Sequence, residues 1–282
     1  MICHLLLSLL LAVLPGVKID TLVYSTPASG PLHMYLLRPS EAEEPLPCIV
    51  FVPGSAWKKQ RMDKSLPVMA PMARKGYAVA CVEYRPCNAA LFPAQVEDSK
   101  TAVRYLRKRA DELGVDTTRI FAWGTSSGAH TVLLHAFTQE AALLDADPGG
   151  LPCRVRAVID FYGPSELVHE FRITKGYQEN PDANGGLLLG DPVEEKRDVA
   201  LKASPLYYAH PYSVPVFVVH GEADKVVPLE QSLWLIGRLR ECGARVESLF
   251  LPGQGHGGSA FWTEEIYGRC DAFLRSCSPS EY

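Results

Sequence analysis

Continuous apolar runs recur along this chain, and segments with helical periodicity separate them. A strand with one solvated face alternates apolar and polar residues, so continuous runs indicate strands that are buried on both faces. Alternation of such strands with helices predicts a mostly parallel central sheet with helices on both faces. The predicted strands are Cys48–Val52, Ala78–Val82, Ile120–Trp123, Ala157–Phe161, Val216–His220 and, with a weaker pattern, Val246–Leu251. The predicted helices are Ser65–Gly76, Pro93–Gly114, Ser127–Leu144, Glu230–Cys242 and Thr263–Cys277.

Two regions depart from this alternation. Thr21–Tyr24 and Leu32–Leu37 are joined by a turn rich in Pro, Ser and Gly, which predicts a hairpin at an antiparallel edge of the sheet. Residues 163–214 carry many Gly, Pro and Asn without strong periodicity. Because loops of this length are usually functional, we expect a small lid-like insertion over a pocket; the alternative is a few short helices that only close the fold.

Residues 1–20 include an apolar run, Leu5–Leu14, with the length of a signal-peptide core. No Lys or Arg precedes this run and no clean A-x-A cleavage site follows it, so we expect an N-terminal helix packed on the domain, with a signal peptide as the alternative. The run is too short to span a bilayer, so no stable membrane insertion is expected. Residues 21–282 show no repeat, low-complexity tract or linker, which predicts one α/β domain.

The charge of the chain indicates which partners to expect, and the distribution of its cysteines indicates the cellular compartment. The chain has 28 Lys and Arg against 32 Asp and Glu, and no basic stripe with interleaved aromatics, so nucleic acid is not an expected partner. The 8 cysteines are scattered, with no CxxC motif and no zinc-type Cys/His spacing. This pattern indicates a reducing compartment and no metal site. We expect a cytoplasmic location, with secretion through an atypical signal as the alternative, and the oligomeric state is left open.

The segment "AWGTSSGAHTVLL" places Ser126 between a predicted strand and a predicted helix. A serine hydroxyl is a poor nucleophile until a base takes its proton. A sharp strand-to-helix turn can lift the hydroxyl toward such a base, and it needs small residues two positions before and after the serine. Gly124 and Gly128 fill those positions. The pattern predicts Ser126 as a nucleophile and the Ser127 backbone N–H as a donor to a developing oxyanion.

A second set of oxyanion donors is predicted upstream, in "VPGSAW". This segment directly follows the predicted strand Cys48–Val52, at the same edge of the sheet as the serine turn. The backbone N–H groups of Ser55 and Ala56 could converge on the oxyanion, while Gly54 permits the tight turn. A Pro-Gly turn after a strand is common, so this motif alone is weak evidence. The prediction depends on the position of the motif in the chain, ahead of the serine turn.

The base and its orienting acid are predicted downstream, in loops that follow later strands. Asp224 lies in "VVHGEADKVVP", and His256 lies among glycines in "LPGQGHGG". Ser126, Asp224 and His256 occur in the chain order that one hydrolase fold uses. In this arrangement His256 takes the proton of Ser126, and Asp224 fixes the histidine tautomer and stabilises the imidazolium.

Other residues compete for these roles. His130 follows Ser126 by one helical turn, but its side chain should point along the helix rather than at the hydroxyl. His220 ends a predicted buried strand, where a hydrogen-bonded core role is expected. Glu222 is an alternative to Asp224, since either carboxylate serves in this role. Asp160 closes a strand without a suitably spaced flexible loop.

Further side chains are given supporting roles. Trp57 and Tyr84 follow strands at the same edge, where they are predicted either to line a substrate pocket or to pack as core aromatics. Asp98, Arg85 and Arg104 are expected to form structural ion pairs. No cofactor is required for acyl transfer to serine.

Together these segments resemble the α/β-hydrolase superfamily, within it the esterases and lipases that include bifunctional feruloyl/acetylxylan esterase-like enzymes. The resemblance rests on "PGSAW", "EYRPCNAALFPAQVEDSKTAVRYLR", "GTSSGAH", "FYGPSEL", "HGEADKVVPLEQS" and "GQGHGG", and it runs from about Thr21 to Cys277. It implies the triad and backbone donors named above and a structural role for His130. Pro53 and Ser55 stand where the group usually has His and Gly, which leaves open how the loop is anchored.

The resulting hypothesis is a serine esterase that cleaves short-chain acyl esters, acetyl esters first, with small molecules or carbohydrates as the alcohol part. One alternative is a serine peptidase similar to the catalytic domain of prolyl oligopeptidases, although no propeller-sized extra domain is present in the sequence. The other is a non-catalytic α/β-hydrolase scaffold that acts as a binding protein. A binding protein has no need of all three triad residues.

Overall fold

The computed structural model describes residues 14–42, 45–168 and 184–278. The apolar run predicted as an N-terminal helix or signal falls almost entirely outside these residues, as do residues 169–183 of the predicted insertion. In the described part of the chain, no helix combines the length and the apolar character needed to cross a membrane.

Within the described part of the chain, eight strands form one sheet in the order β1-β2-β4-β3-β5-β6-β7-β8. The first two strands form the predicted hairpin, and β2 also pairs antiparallel with β4. All remaining neighbours are parallel. The strands are β1 Val17–Ser25, β2 Leu32–Pro39, β3 Leu46–Val52, β4 Ala78–Val82, β5 Val115–Thr125, β6 Val158–Phe161, β7 Val216–Gly221 and β8 Val246–Leu251.

The central strands are apolar throughout because both faces of the sheet are covered. In β3, Cys48, Val50 and Val52 join one hydrophobic core, while Ile49 and Phe51 join the core on the opposite face. The helices are α1 Met62–Arg74, α2 Ala94–Lys108, α3 Ala110–Leu113, α4 Ser127–Phe137, α5 Asn184–Leu189, α6 Arg197–Lys202, α7 Leu229–Glu241 and α8 Glu264–Ser276, with 3₁₀ turns at Pro205–Tyr208 and Ser259–Phe261. Residues of α2, α4 and α7 build the first core, and residues of α1 and α8 build the second. The predicted layered α/β architecture is therefore confirmed.

Two helices differ from their predicted lengths. The helix predicted over Ser127–Leu144 ends at Phe137, where the buried ammonium of Lys100 binds the carbonyls of Thr138 and Leu143 at 3.1 and 2.7 Å. A cation at these carbonyls ends the helix in a favourable way. The helix predicted over Pro93–Gly114 is divided at Arg109 into α2 and α3.

The predicted ion pairs lie on α2 and the segment before it. Arg85 contacts Asp98 at 2.9 Å and Glu97 at 3.0 Å. Arg104 contacts Asp145 at 2.7 Å, with both side chains largely buried. These pairs join α2 to neighbouring loops, which confirms the structural role predicted for them.

The described part of the insertion contains α5, α6 and the 3₁₀ turn Pro205–Tyr208. Its apolar side chains form a small third core that also includes Trp57 from the loop after β3. Because β3, β5, β7 and β8 run parallel, their carboxyl ends lie at one edge of the sheet, and the loops that follow them meet there.

Candidate active site

Ser126 lies at the turn between β5 and α4, with φ 52° and ψ −125°. This left-handed conformation is strained for a residue that carries a side chain. The turn is tight: a Cβ atom on Gly124 would lie 2.4 Å from the Ala129 nitrogen, and one on Gly128 would lie 1.9 Å from the Val52 oxygen. Glycine is therefore required at both flanking positions, which is why the sequence pattern marks the turn.

The three residues predicted as a catalytic set lie within hydrogen-bond distance of one another. Ser126 Oγ is 2.9 Å from His256 Nε2, and His256 Nδ1 is 2.7 Å from Asp224 Oδ2. A carboxylate oxygen only accepts hydrogen bonds, so Nδ1 carries the ring proton and Nε2 is free to accept from the serine. The arrangement can deprotonate Ser126.

Asp224 receives four hydrogen bonds. Oδ1 accepts from the Val226 and Val227 nitrogens at 2.8 and 3.0 Å, and Oδ2 faces both His256 at 2.7 Å and His220 Nε2 at 3.3 Å. Burial of the side chain would raise the pKa of Asp224, but the hydrogen bonds from His220 and His256 outweigh this and hold the pKa well below its usual range. Asp224 is therefore ionised at neutral pH.

The loop after β3 is held against the serine turn by its own backbone. The Gly54 N–H donates to Thr125 Oγ1 at 2.8 Å, and the Ser55 N–H donates to Ser127 Oγ at 2.9 Å. The Ser55 N–H is thus engaged by a side chain, which differs from its predicted role as an oxyanion donor. The N–H groups of Ala56 and Ser127 have no hydrogen-bond partner among the residues that the structure describes. Both residues line the cleft above Ser126.

His130 connects this loop to the insertion. Its Nδ1 accepts from the Trp57 indole at 3.2 Å, and its Nε2 donates to the Ala203 carbonyl at 2.6 Å. Burial lowers the pKa of His130 to about 4, so the ring is neutral at physiological pH. The imidazole is fully engaged on both nitrogens, in agreement with the expectation that His130 is structural rather than the base.

Tyr84 is placed behind the loop after β3, and it does not line the cleft above Ser126. Its side chain is 3% exposed, and its hydroxyl lies 2.8 Å from Ser55 Oγ and 3.3 Å from Ser127 Oγ. The pocket role considered for Tyr84 is therefore corrected, because its hydroxyl is used within the protein. Trp57 does line the cleft, although it is 4% exposed and its N–H is bound to His130.

The cleft above Ser126 has a volume of about 540 Å³. This lies within the range of small-molecule sites. Its walls combine apolar surface with the exposed residue Lys225. The lining residues are Gly54, Ser55, Ala56, Trp57, Thr125, Ser126, Ser127, Tyr162, Pro164, Lys225, Val226, Val227 and His256.

None of the remaining competitors replaces His256 or Asp224 in the contacts described above. Glu222 is exposed, and its carboxylate does not replace that of Asp224 at the histidine. Asp160 is fully buried, and its Oδ1 accepts from the Gly163 nitrogen at 2.9 Å. His220 is buried as expected and bound to Ser232 Oγ at 2.7 Å, but its contact with Asp224 was not predicted. The spacing of four residues between His220 and Asp224 is the only sign of that contact in the sequence.

Tyr162 is a further residue at the site that the sequence patterns did not reveal. It has φ 46°, and its ring packs edge-on against the His256 ring with 4.7 Å between centroids. Tyr162 thus packs against the histidine of the site.

Across residues 14–42, 45–168 and 184–278, no group of three or more His, Cys, Asp or Glu side chains is arranged to hold a metal ion. The 7 cysteines described are free thiols.

Comparison with known proteins finds similarity to several esterases. The family model BD-FAE matches residues 33–239. Esterase LipC of Mycobacterium tuberculosis is 30% identical over 217 residues, which are 76% of this chain and 53% of that protein. The chain therefore spans about half the length of the curated relatives it matches.

Solved structures show the same fold. A truncated carbohydrate esterase from gut microbiota is 26% identical and superposes with a TM-score of 0.81, covering 93% of this chain and 95% of that one. Esterase 2 of Thermogutta terrifontis, solved with bound propionate, is 24% identical with a TM-score of 0.74, covering 94% of this chain and 95% of that one. These similarities confirm the α/β-hydrolase fold.

Proposed function

The chain belongs to the BD-FAE family, and from this premise we propose that it is a serine esterase that hydrolyses short-chain acyl esters through an acyl-enzyme on Ser126. One observation carries the proposal: Ser126, His256 and Asp224 form a continuous hydrogen-bonded chain that opens into the cleft. The esterases among its relatives support the same reaction.

The first half of the reaction acylates the serine. His256 Nε2 takes the Ser126 proton as Oγ attacks the ester carbonyl, and the carbonyl oxygen becomes an oxyanion. The N–H groups of Ala56 and Ser127 supply two donors for this charge, next to the positive end of α4. The C–O bond then breaks, and His256 Nε2 gives its proton to the departing alcohol.

The second half releases the acid. Water replaces the alcohol beside His256, which takes a proton from the water as its oxygen attacks the acyl-enzyme. The bond from the acyl carbon to Ser126 Oγ breaks, and the proton returns to Oγ. The ionised Asp224 stabilises the imidazolium in both halves.

The substrate part of the proposal is an acetyl or similarly short acyl group on a small-molecule or carbohydrate alcohol. The cleft is about 540 Å³ and open, and Trp57, Val226 and Val227 give it apolar surface. The solved carbohydrate esterase, which matches this chain over almost its full length, supports the carbohydrate alcohol.

Turnover of p-nitrophenyl acetate tests the proposal. We expect wild-type protein to hydrolyse it and to react with a fluorophosphonate probe, and Ser126→Ala to lose both activities. Ser259→Ala is the matched control, because Ser259 is an exposed hydroxyl three residues after His256. Folded wild-type protein with neither turnover nor labelling would contradict the enzyme function.

A substrate panel tests the finer claim. We expect p-nitrophenyl acetate and butyrate to be better substrates than octanoate, and acetylated xylan to release acetate. A dipeptide amide hydrolysed faster than any ester would favour the peptidase alternative.

A further inference from the structure

Three hydroxyl groups and one backbone N–H lie together between the loop after β3 and the serine turn. The Ser55 N–H donates to Ser127 Oγ at 2.9 Å, and Tyr84 Oη lies 3.3 Å from Ser127 Oγ and 2.8 Å from Ser55 Oγ. Ser55 Oγ donates to the Lys58 carbonyl at 2.5 Å. These contacts return to the residue from which they start, so they form a ring that joins the two loops.

The direction of every hydrogen bond in this ring follows from two groups with fixed roles. The Lys58 carbonyl can only accept a hydrogen bond, and the Ser55 N–H can only donate one. Ser55 Oγ therefore uses its single proton on the Lys58 carbonyl. The bond between Ser55 and Tyr84 must then be donated by Tyr84, and the bond between Tyr84 and Ser127 must be donated by Ser127. The Ser55 N–H closes the ring onto Ser127 Oγ. Every proton in the ring is used once.

From this geometry we propose that the hydroxyls of Ser55, Tyr84 and Ser127 form a directed hydrogen-bond ring that sets the oxyanion hole. Tyr84 and the Ser127 hydroxyl are positioning residues, and the oxyanion is held by the N–H groups of Ala56 and Ser127. The inference deepens the esterase function proposed above and rests on it.

The ring acts on the two donors because it spans the two segments that carry them. Ser127 contributes an oxyanion donor through its backbone and the ring acceptor through its side chain. Ala56 follows Ser55 directly, and it has φ 53°, a conformation that a residue with a side chain adopts only when its surroundings hold it. Fixing Ser55 to Ser127 therefore fixes the distance between the two N–H groups.

Ser55 contributes both its N–H and its hydroxyl to the ring. Burial raises the pKa of Tyr84 to about 12, so the phenol keeps the proton that it donates to Ser55. The Tyr84 hydroxyl therefore stays neutral at physiological pH.

The variants Ser127→Ala and Tyr84→Phe open the ring while keeping the volume of the site nearly unchanged. With p-nitrophenyl acetate we expect kcat to fall about 10- to 100-fold in Ser127→Ala and about 10-fold in Tyr84→Phe, while KM changes less than about threefold. The loss falls on kcat because the oxyanion forms only after the substrate is bound. Affinity for phenylboronic acid, which forms a tetrahedral adduct on serine, should fall in parallel.

Tyr24→Phe is the matched control. Tyr24 is also buried, and its hydroxyl donates to the Glu83 carbonyl at 2.6 Å, one residue before Tyr84 and away from the ring. This variant loses a comparable buried hydrogen bond, so its thermal midpoint should fall as in Tyr84→Phe while its kcat stays within about twofold of wild type.

The double variant decides whether the groups act as one unit. Because either substitution opens the same ring, Ser127→Ala/Tyr84→Phe should lose little more kcat than Ser127→Ala alone. Losses that multiply would overturn the ring, as would a kcat unchanged in both single variants of an active enzyme. A wild-type protein without turnover would instead overturn the esterase function itself.

Discussion

Two loops meet at Ser126, and they are held by different kinds of interaction. The loop after β8 carries His256, whose ring is fixed by the ionised carboxylate of Asp224 at 2.7 Å. The loop after β3 carries the Ala56 N–H and is fixed by neutral groups, namely hydroxyls, an indole and a buried imidazole. The hydrogen bond that orients His256 comes from one charged group, whereas the loop after β3 is held by several uncharged contacts.

This difference predicts how each loop responds to substitution. A hydrogen bond to an ionised group is roughly twice as strong as one between neutral groups, and here it also sets the tautomer of the base. Loss of the Asp224 charge should therefore remove both the orientation and the correct tautomer of His256, and with them most of the turnover. Loss of one neutral contact should only loosen the loop after β3, because the other contacts remain.

Asp224→Asn should have the largest effect on turnover. An amide can donate to His256 Nδ1 and favour the wrong tautomer, so kcat for p-nitrophenyl acetate should fall by about 10³- to 10⁴-fold. Glu222→Gln removes a neighbouring exposed carboxylate and should leave kcat within about twofold of wild type. A loss below tenfold in Asp224→Asn would show that the charge does not dominate this loop.

His220→Asn tests whether the contact of His220 with the Asp224 carboxylate contributes to turnover. His220 Nε2 faces two acceptors, Asp224 Oδ2 at 3.3 Å and the Val227 carbonyl at 3.0 Å, so it carries the ring proton. We expect kcat to fall about tenfold, since Asp224 loses one donor while its bond to His256 remains. Ser232→Ala, which removes only the hydroxyl bound to His220 Nδ1, should have a smaller effect. Equal losses in the two variants would point to packing rather than to the bond with Asp224.

His130→Phe tests the uncharged contacts that hold the loop after β3. Phenylalanine keeps the ring packing against Trp57 but leaves the indole N–H and the Ala203 carbonyl without their partner. We expect kcat to fall severalfold and unfolding at pH 7 to need about 1–3 kcal/mol less free energy. The matched variant is Trp57→Phe, which removes the other end of the same contact.

The pH dependence of the free energy of unfolding distinguishes the effect of His130 protonation from the effect of its ring packing. Burial holds the pKa of His130 at about 4 in the folded protein, below its ordinary value of 6.5. The unfolded chain therefore binds the extra proton first, and stability is lost as pH falls below 6.5. Between pH 7 and 5 this amounts to about 2 kcal/mol, which His130→Phe should remove from the urea unfolding profile. An unchanged slope would mean that His130 binds its proton equally well in the folded and unfolded protein.

The hydrogen-bonded set of Ser126, His256 and Asp224 could be predicted from the sequence because each of these residues lies in a local pattern. Ser126 is marked by the glycines that its tight turn requires, and Asp224 and His256 each lie in a loop directly after a strand. The strands themselves are continuous apolar runs, since both faces of the sheet are covered. Local chemistry was sufficient for these features.

The anchors of the loop after β3 could not be predicted in this way, because they join residues far apart in the chain. The Ser55 N–H meets a side chain 72 positions later, and Tyr84 reaches Ser127 across 43 positions. No local spacing indicates which N–H groups of such a loop are occupied. The end of α4 is a similar case, because Lys100 reaches Thr138 from 38 positions earlier.

Asp160 lies on β6, opposite Gly124 of β5, and its substitution should have the smallest effect on turnover. It is fully buried, and its Oδ2 has no hydrogen-bond partner among the residues described. Burial raises its pKa to about 7, while the Gly163 N–H only partly opposes this. Below that pH the side chain is a neutral acid, in keeping with its uncharged surroundings.

Asp160→Asn should therefore change stability with pH and leave kcat within about twofold of wild type. The folded pKa lies above the ordinary value of 3.8, so the native protein holds a proton that the unfolded chain has released, and wild-type stability falls as pH rises toward 7. Between pH 5 and 8 the advantage of the amide variant over wild type should grow by about 2–3 kcal/mol in urea unfolding. An advantage that does not change with pH would mean that Asp160 stays ionised, because only an acid that titrates within this range gives a pH-dependent difference.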